Sequence, residues 1–260
     1  MSKSVLITGA TTGIGYELAK LFAKDKFDLV IVARNEIKLR QTAAELQKDY
    51  KVNVKIISKD LSDQKSAVEI YEELVKENIR VDVLINNAGF GAHGAFAESD
   101  LKNDLDMLNL NIASLVALNR LFLNDMLKYN SGRIMNVAST AAFQPGPYMA
   151  VYYATKAFVL SFSEAVSEEL SGTNVTVSCL CPGPTETEFQ NRAGIGETKM
   201  MNRKKFTVMS AEEVALIGYE SLIKGKRTII PGLVNKSGAF LVRFLPRKLI
   251  AKITRSLHKE

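Results

Sequence analysis

Thr8-Gly9-Ala10-Thr11-Thr12-Gly13-Ile14-Gly15, close to the start of the chain, is the stretch on which the fold turns. Ahead of it Ser4-Val5-Leu6-Ile7 is short, apolar and partly β-branched, as a buried strand should be. Behind it Leu18, Ala19, Leu21, Phe22 and Ala23 recur at helical spacing. Strand, glycine turn and helix, in that order, is the setting in which glycines cradle phosphate. Glycine lets the backbone turn sharply and approach a pyrophosphate with no Cβ in the way. The free N–H groups and dipole at the helix start then favour negative charge. The spacing is G-x-x-x-G-x-G rather than the commoner G-x-G-x-x-G, so the motif alone also fits a plain strand-to-helix turn.

The pattern repeats outward from that motif. Strands are expected at Asp28–Ala33, Val52–Ser58, Val81–Ile85, Gly132–Ala138, Val175–Cys181 and Lys226–Pro231. Helices fall between them: one through Leu39, Ala43 and Leu46, a long one from Leu101 to Tyr129, and one from Val151 to Leu170. Ser62 is placed to cap the helix after the third strand. Strands alternating with helices imply an α/β fold, a single Rossmann-type doubly wound parallel sheet of about seven strands with helices on both faces. Ligands bind such sheets beyond the carboxyl ends of the strands. The polar clusters Gly9–Gly15, Arg34, Asp60, Asn87, Ser139 and Pro182-Gly183 all fall there.

At 260 residues and 47% apolar content the chain can bury one substantial core, with no repeat or composition break to mark a second. Residues 1–235 are expected to form the dinucleotide-binding and catalytic domain, and 236–260 a basic amphipathic extension. That extension holds seven Lys/Arg and one Glu, which accounts for the whole net charge of +6. No signal-peptide pattern precedes Ser4 and no apolar run is long enough to span a bilayer, so a cytoplasmic protein is expected. Cys179 and Cys181, with only His93 and His258 elsewhere, make no zinc set and read as buried thiols.

The residues after the second strand bear on the cofactor. An acid there would accept from an adenosine ribose 2′-hydroxyl and repel a 2′-phosphate. The strand ends instead in Ala33, followed by Arg34, whose planar fork suits phosphate. NADP(H) is therefore expected over NAD(H), with Arg34 as a solvated turn residue the plainer alternative. Asp60 is placed to reach the adenine edge or, alternatively, to cap the next helix.

Tyr152 and Lys156 lie four apart in the predicted helix and share a face. An ammonium beside a phenol favours phenolate, which would lower the tyrosine from its usual pKa of about 10. Tyr152 would then exchange a proton with a carbonyl or alcohol oxygen. Tyr153, three residues before the same lysine, is a rival that spacing leaves open.

Gly9-x-x-x-Gly13-x-Gly15, Asn86-Asn87-Ala88-Gly89, Ser139, Tyr152-x-x-x-Lys156 and Pro182-Gly183, in this order, resemble the short-chain dehydrogenase/reductase family in its one-domain branch. The likeness covers the chain to about residue 231, and its overall look is nearest to bacterial DltE-type reductases. It implies Tyr152 as proton donor and Lys156 as holder of the nicotinamide ribose. It also implies Ser139 as the group that orients the substrate oxygen, with Thr140 the alternative. Asn111 would position a water in the proton relay, with Asn109 the competing choice. The expected cofactor positions are Gly9, Thr11, Thr12, Gly13, Ile14, Gly15, Arg34, Asp60, Leu61, Asn87, Ala88, Gly89, Tyr152, Lys156, Pro182, Gly183 and Thr185. The activity implied is hydride transfer between nicotinamide and the carbonyl or alcohol carbon of an apolar small molecule, 3-oxoacyl-like or another ketone. No metal is implied, and dimers or tetramers are common in such families.

By the same resemblance residues 185–209 would be a substrate-covering loop, in which Phe189, Ile195, Met200, Met201, Phe206 and Met209 suggest an apolar lid, with Phe143 and Tyr148 on the wall; an ordinary helix-turn-helix excursion is the alternative. In the tail Pro246 breaks any helix. Beyond it Leu249, Ile250, Ile253 and Leu257 share one face, and Arg247, Lys248, Lys252, Arg255 and Lys259 take the others. Packing on the body or a partner subunit is favoured there over peripheral contact with a membrane. No nucleic-acid recognition motif is present. Two rival functions are a non-catalytic NADP-binding sensor and a membrane-associated interaction protein; the Ser139, Tyr152, Lys156 and Asn111 set speaks against the first.

Overall fold

The structure is a computed structural model, described for residues 2–189, 193–194 and 208–258. Its frame is a seven-stranded parallel sheet in the order β3-β2-β1-β4-β5-β6-β9. The strands are β1 (Ser4–Thr8), β2 (Asp28–Ala33), β3 (Val54–Ser58), β4 (Val83–Asn86), β5 (Gly132–Val137), β6 (Val175–Leu180) and β9 (Thr228–Ile229). A separate two-residue pair joins β7 (Thr185–Glu186) to β8 (Met209–Ser210). Alternate side chains leave the sheet on opposite faces. Val5, Ile7, Leu29 and Ile31 pack with α1 (Gly13–Lys24) and α2 (Glu36–Tyr50) on one face. Leu6, Val30, Val32 and Leu84 pack with α3 (Ser66–Lys76) on the other. Burial on both faces is why these strands read as unbroken apolar runs.

Between α3 and β5 the chain carries α4 (Leu101–Leu108), a π-helical segment (Asn109–Ala113) and α5 (Ser114–Lys128). The single long helix expected over 101–129 is thus one rod with a π segment inside it. After β5 come a 3₁₀ turn (Thr140–Phe143) and α6 (Ala150–Glu169), and after β8 comes α7 (Ala211–Ile223). The expected cap at Ser62 is not formed: α3 starts at Ser66, and Ser62 donates from both N–H and hydroxyl to Asp60 at 2.9 and 2.8 Å. The aspartate two residues back holds it in a turn ahead of the helix.

Beneath the sheet's centre Asn136 of β5 is fully buried. Its Oδ1 accepts from Asn86 at 2.9 Å and Asn119 at 3.0 Å, and its Nδ2 donates to Ser163 at 3.0 Å. That network ties β4 and β5 to α5 and α6, the elements around the site described below.

The tail holds α8 (Leu233–Leu241), a 3₁₀ turn (Val242–Phe244) and α9 (Arg247–His258). The boundary expected at residue 235 falls inside α8, so no structural break separates body and extension there. Helix α9 starts immediately after Pro246, as a residue without an N–H dictates. Ile250, Thr254 and His258, spaced four apart, are its buried face. No helix among the described residues is long and apolar enough to cross a membrane.

Candidate active site

The strand order reverses at β1, between β2 and β4, and a crevice opens there at the carboxyl ends. A cleft of about 530 Å³ runs along it, from Arg34 at one end to Tyr152 and His258 at the other. Gly9, Thr11, Thr12, Gly13 and Ile14 form its floor. Gly9 and Gly13 have φ of +67° and +57°, a conformation that side-chain-bearing residues rarely adopt. Thr12 precedes α1 without a side-chain cap among the described residues, and the first turn of α1 has no acid. The N–H groups at that helix start therefore face the cleft with no side chain to satisfy them, which suits an anion.

The loop after β4 holds the glycine turn rigid. Asn87 Nδ2 donates to the carbonyls of Thr8 and Gly9 at 3.0 and 3.1 Å. Thr8 Oγ1 accepts from the N–H groups of Asn87 and Ala88 at 3.0 and 2.9 Å. Asn87 lines the cleft, yet both its amide protons serve the loop. Gly15 lies below the floor: a Cβ there would stand 2.4 Å from both Asn87 Nδ2 and Gly9 O. Its part is to let α1 seat against the loop.

Arg34 lines the far end of the cleft, its side chain 64% exposed and 3.6 Å from Asp60. Asp60 does not cap α3, whose N-cap is Lys65 without a side-chain hydrogen bond. It lines the cleft beside Leu61, and its carbonyl accepts from Ser66 Oγ at 2.7 Å where α3 begins. Two hydrogen bonds from Ser62 and the charge of Arg34 outweigh the burial that opposes them and hold its carboxyl below the usual range.

At the other end Ser139, Tyr152 and Lys156 meet with Gly89, Pro182, Gly183 and Thr185 on the same wall. Ser139, two residues beyond the end of β5, donates from its hydroxyl to Pro182 O at 3.4 Å and accepts from Ala141 N at 3.1 Å, on the same wall as Tyr152. Thr140 also lines the cleft, with its backbone N–H donating to Pro182 O at 2.8 Å. Lys156 Nζ donates to Val137 O at 2.8 Å and stands 5.8 Å from the centre of the Tyr152 ring. The expectation that the ammonium lowers the tyrosine is overturned. Burial pushes the Tyr152 phenol up to about 12, against the pull of the Ser139 hydrogen bond, and brings the Lys156 ammonium down to about 8. Both groups are deeply enclosed, and desolvation is the largest cause at each.

Asn111 is buried behind the wall rather than in it. Its Oδ1 accepts from Phe90 N at 3.1 Å, and its Nδ2 donates to Phe90 O and Thr155 Oγ1 at 2.9 and 3.1 Å. It sits in the π segment, a distortion frequent at functional sites. The rival Asn109 faces elsewhere, accepting from Gln64 at 3.4 Å. Tyr153, the rival to Tyr152, turns away from Lys156: its hydroxyl meets His258 Nε2 at 2.7 Å. His93 Nε2 lies 2.9 Å from the His258 carbonyl, so the last turn of α9 is fastened into the cleft. Spacing had left His258 aside, because only the folded chain brings residue 258 to residue 153.

The wall beside Tyr152 is apolar. Phe90, Ala141, Met149 and Phe189 line it, with the Phe189 ring 5.3 Å from that of Tyr152. Thr187 reaches over the floor, and Glu188 stands 3.5 Å from Lys38 of α2 across the mouth. One expectation for the lid and two for the wall change. Met209, in β8, packs against the core, Phe143 lines a different cavity, and Tyr148 faces His93 rather than the cleft. Ile195, Met200, Met201 and Phe206 lie outside the described residues. Cys179 and Cys181 are buried free thiols, 3.7 Å apart. No cluster of three metal-binding side chains occurs among the described residues.

The family model for short chain dehydrogenases matches residues 3–198. The chain belongs to the short-chain dehydrogenase family. A ketoacyl reductase, HetN, of Nostoc sp. is 30% identical over 237 residues, covering 90% of this chain and 79% of that protein. An NADP-dependent 3-hydroxy acid dehydrogenase of Schizosaccharomyces pombe is 33% identical over 233 residues, 88% and 90% of the two chains. A short-chain dehydrogenase from Sphingobium yanoikuyae, solved in complex with NADPH, superposes with a TM-score of 0.82 at 30% identity, over 94% of this chain and 97% of that one. As a short-chain dehydrogenase the protein is an oxidoreductase that interconverts alcohols and carbonyls of small molecules with a nicotinamide dinucleotide.

Proposed function

We propose that this short-chain dehydrogenase is an NADP(H)-dependent reductase of apolar ketones. The observation that carries the cofactor preference is Arg34 at the adenosine end of the cleft, where a ribose-binding acid would otherwise stand. The dinucleotide fits the residues present, since the uncapped start of α1 and the positive-φ glycines supply unpaired N–H groups and space for a pyrophosphate. Gly9, Thr11, Thr12, Gly13 and Ile14 would hold the pyrophosphate, and Leu61, Ala88 and Gly89 the adenosine and linking ribose. Pro182, Gly183, Thr185 and Lys156 would hold the nicotinamide half. NADPH, when bound, supplies the hydride. Ser139 and Tyr152 donate hydrogen bonds to the substrate carbonyl oxygen and so stabilise the charge that develops there. Tyr152 delivers the proton, for which a phenol that stays protonated through neutral pH is suited. Asn111, hydrogen-bonded to Phe90 and Thr155, is the residue that would position a relay water. The apolar wall of Phe90, Met149 and Phe189 favours a hydrophobic substrate.

Nicotinamide fluorescence titration with NADPH and NADH tests the cofactor. NADPH should bind the tighter, and Arg34→Ala should weaken NADPH by roughly tenfold or more while leaving NADH alone, since a guanidinium–phosphate contact contributes about 1.5–3 kcal/mol. Equal affinities in the parent protein would remove the preference for NADP(H). With a panel of apolar ketones, Tyr152→Phe should abolish turnover and keep cofactor binding; persistent turnover would remove Tyr152 from the chemistry.

A further inference from the structure

We propose that α8, the following 3₁₀ turn and α9 form a seat for an anionic lipid bilayer. Helix α9 turns Ile250, Thr254 and His258 inward. At 100° per residue its outward side then carries Leu249 and Ile253 on one flank and Lys248, Lys252 and Arg255 on the other. Leu249 and Ile253 are 45% and 46% exposed. Ahead of them Phe240, Leu241 and Phe244 are 57%, 59% and 70% exposed, with the two rings edge to face at 5.1 Å. Large apolar side chains so concentrated and so open are unusual on a monomer and mark an interaction surface.

The charge selects the partner. All of the chain's net charge of +6 resides in residues 236–260. A second copy of this chain, applied about a twofold axis, would set two such basic segments against each other. An acidic partner is required, and one that also takes up phenylalanine and leucine side chains. The interface of an anionic bilayer offers both, phosphate headgroups for the lysines and arginines and acyl chains for the apolar row. A nucleic acid would leave that row without a use.

Co-sedimentation of the full chain with vesicles tests this. Binding should appear with phosphatidylcholine–phosphatidylglycerol vesicles, be absent with phosphatidylcholine alone, and fall in about 1 M salt, where the Debye length is about 3 Å. Lys248→Gln/Lys252→Gln should lower the partition coefficient roughly 25- to 30-fold, about fivefold per charge near the surface. Phe240→Ser/Phe244→Ser should lower it as well, and both double variants should keep the parent's NADPH affinity because none of the four residues reaches the cleft. Absence of binding to either vesicle, equal binding to both, or binding unchanged in the two variants would overturn the proposal. So would a parent protein that ignores vesicles but loses oligomeric mass by light scattering in Phe240→Ser/Phe244→Ser, which would assign the surface to a second copy.

Discussion

Lys156 shows how far burial overrides a local pairing rule. Tyr152 and Lys156 were legible in the sequence as a pair on one helix face, and the helix indeed brings them together. Their ionisation was not legible, because desolvation depends on what the rest of the fold packs around them. The Lys156 ammonium, with Val137 O at 2.8 Å, titrates near 8 because burial disfavours its charge. In the unfolded chain it would titrate near 10.4. Between those values the unfolded chain holds a proton that the folded one has released, so stability rises with pH across that window. Below about pH 8 both states are protonated and the buried charge costs stability in full. Lys156→Met has no proton to exchange. Its melting temperature should exceed the parent's at pH 7, and the margin should shrink between pH 8 and 10 in parallel melts followed by circular dichroism. A margin that stays constant would mean that Lys156 keeps its proton in the folded chain across that window, as it does in the unfolded one. The same position illustrates a functional cost, since an alkyl chain would fill the site with less penalty.

At the scale of elements, β1, β2 and α1 were readable because local pattern and global role agree: apolar strands buried on two faces, a glycine turn, an amphipathic helix. The π segment at Asn109–Ala113 was not, since nothing in Leu108-Asn109-Leu110-Asn111 distinguishes it from α-helix. Its hydrogen bonds to Phe90 and Thr155 come from segments distant in sequence. Gly15, one of the expected cofactor positions, lies under the cleft lining, where it lets α1 seat against the β4 loop. An alanine Cβ at 2.4 Å from Gly9 O cannot be absorbed by a side-chain rotation, because the obstacle is backbone. Gly15→Ala should therefore push α1 off the β4 loop and weaken NADPH binding, while far-ultraviolet circular dichroism and the remainder of the sheet persist. Unaltered affinity in the fluorescence titration would show that α1 and the loop can separate without spoiling the cradle.

For the whole molecule, the division into a neutral body and a basic tail was plain from charge, whereas the tail's destination was not. Contacts between residues 93, 153 and 258 span most of the chain, and no local periodicity encodes them. The inner face of α9 packs on its own body, with His258 bridging His93 and Tyr153 beside the apolar wall, while its outer side stays open. The glycine floor of the cleft follows β1, and His93, Tyr153 and His258 are no part of it. A chain ended at Pro246 should consequently keep its NADPH affinity and lose substrate affinity, because the wall near Tyr152 opens to water. KM for an apolar ketone should rise with little change in the fluorescence titration. Stability should drop too: burying Ile250 contributes about 2–3 kcal/mol, which in a domain of this size corresponds to about 5–10 °C in melting temperature. His258→Ala in the full-length chain separates the two effects, since it removes the bridge to Tyr153 and retains the Ile250 contact. It should reproduce most of the KM change with a smaller thermal shift. If the truncated chain instead lost NADPH binding along with its substrate, α9 would be a support of the sheet rather than a wall of the substrate site.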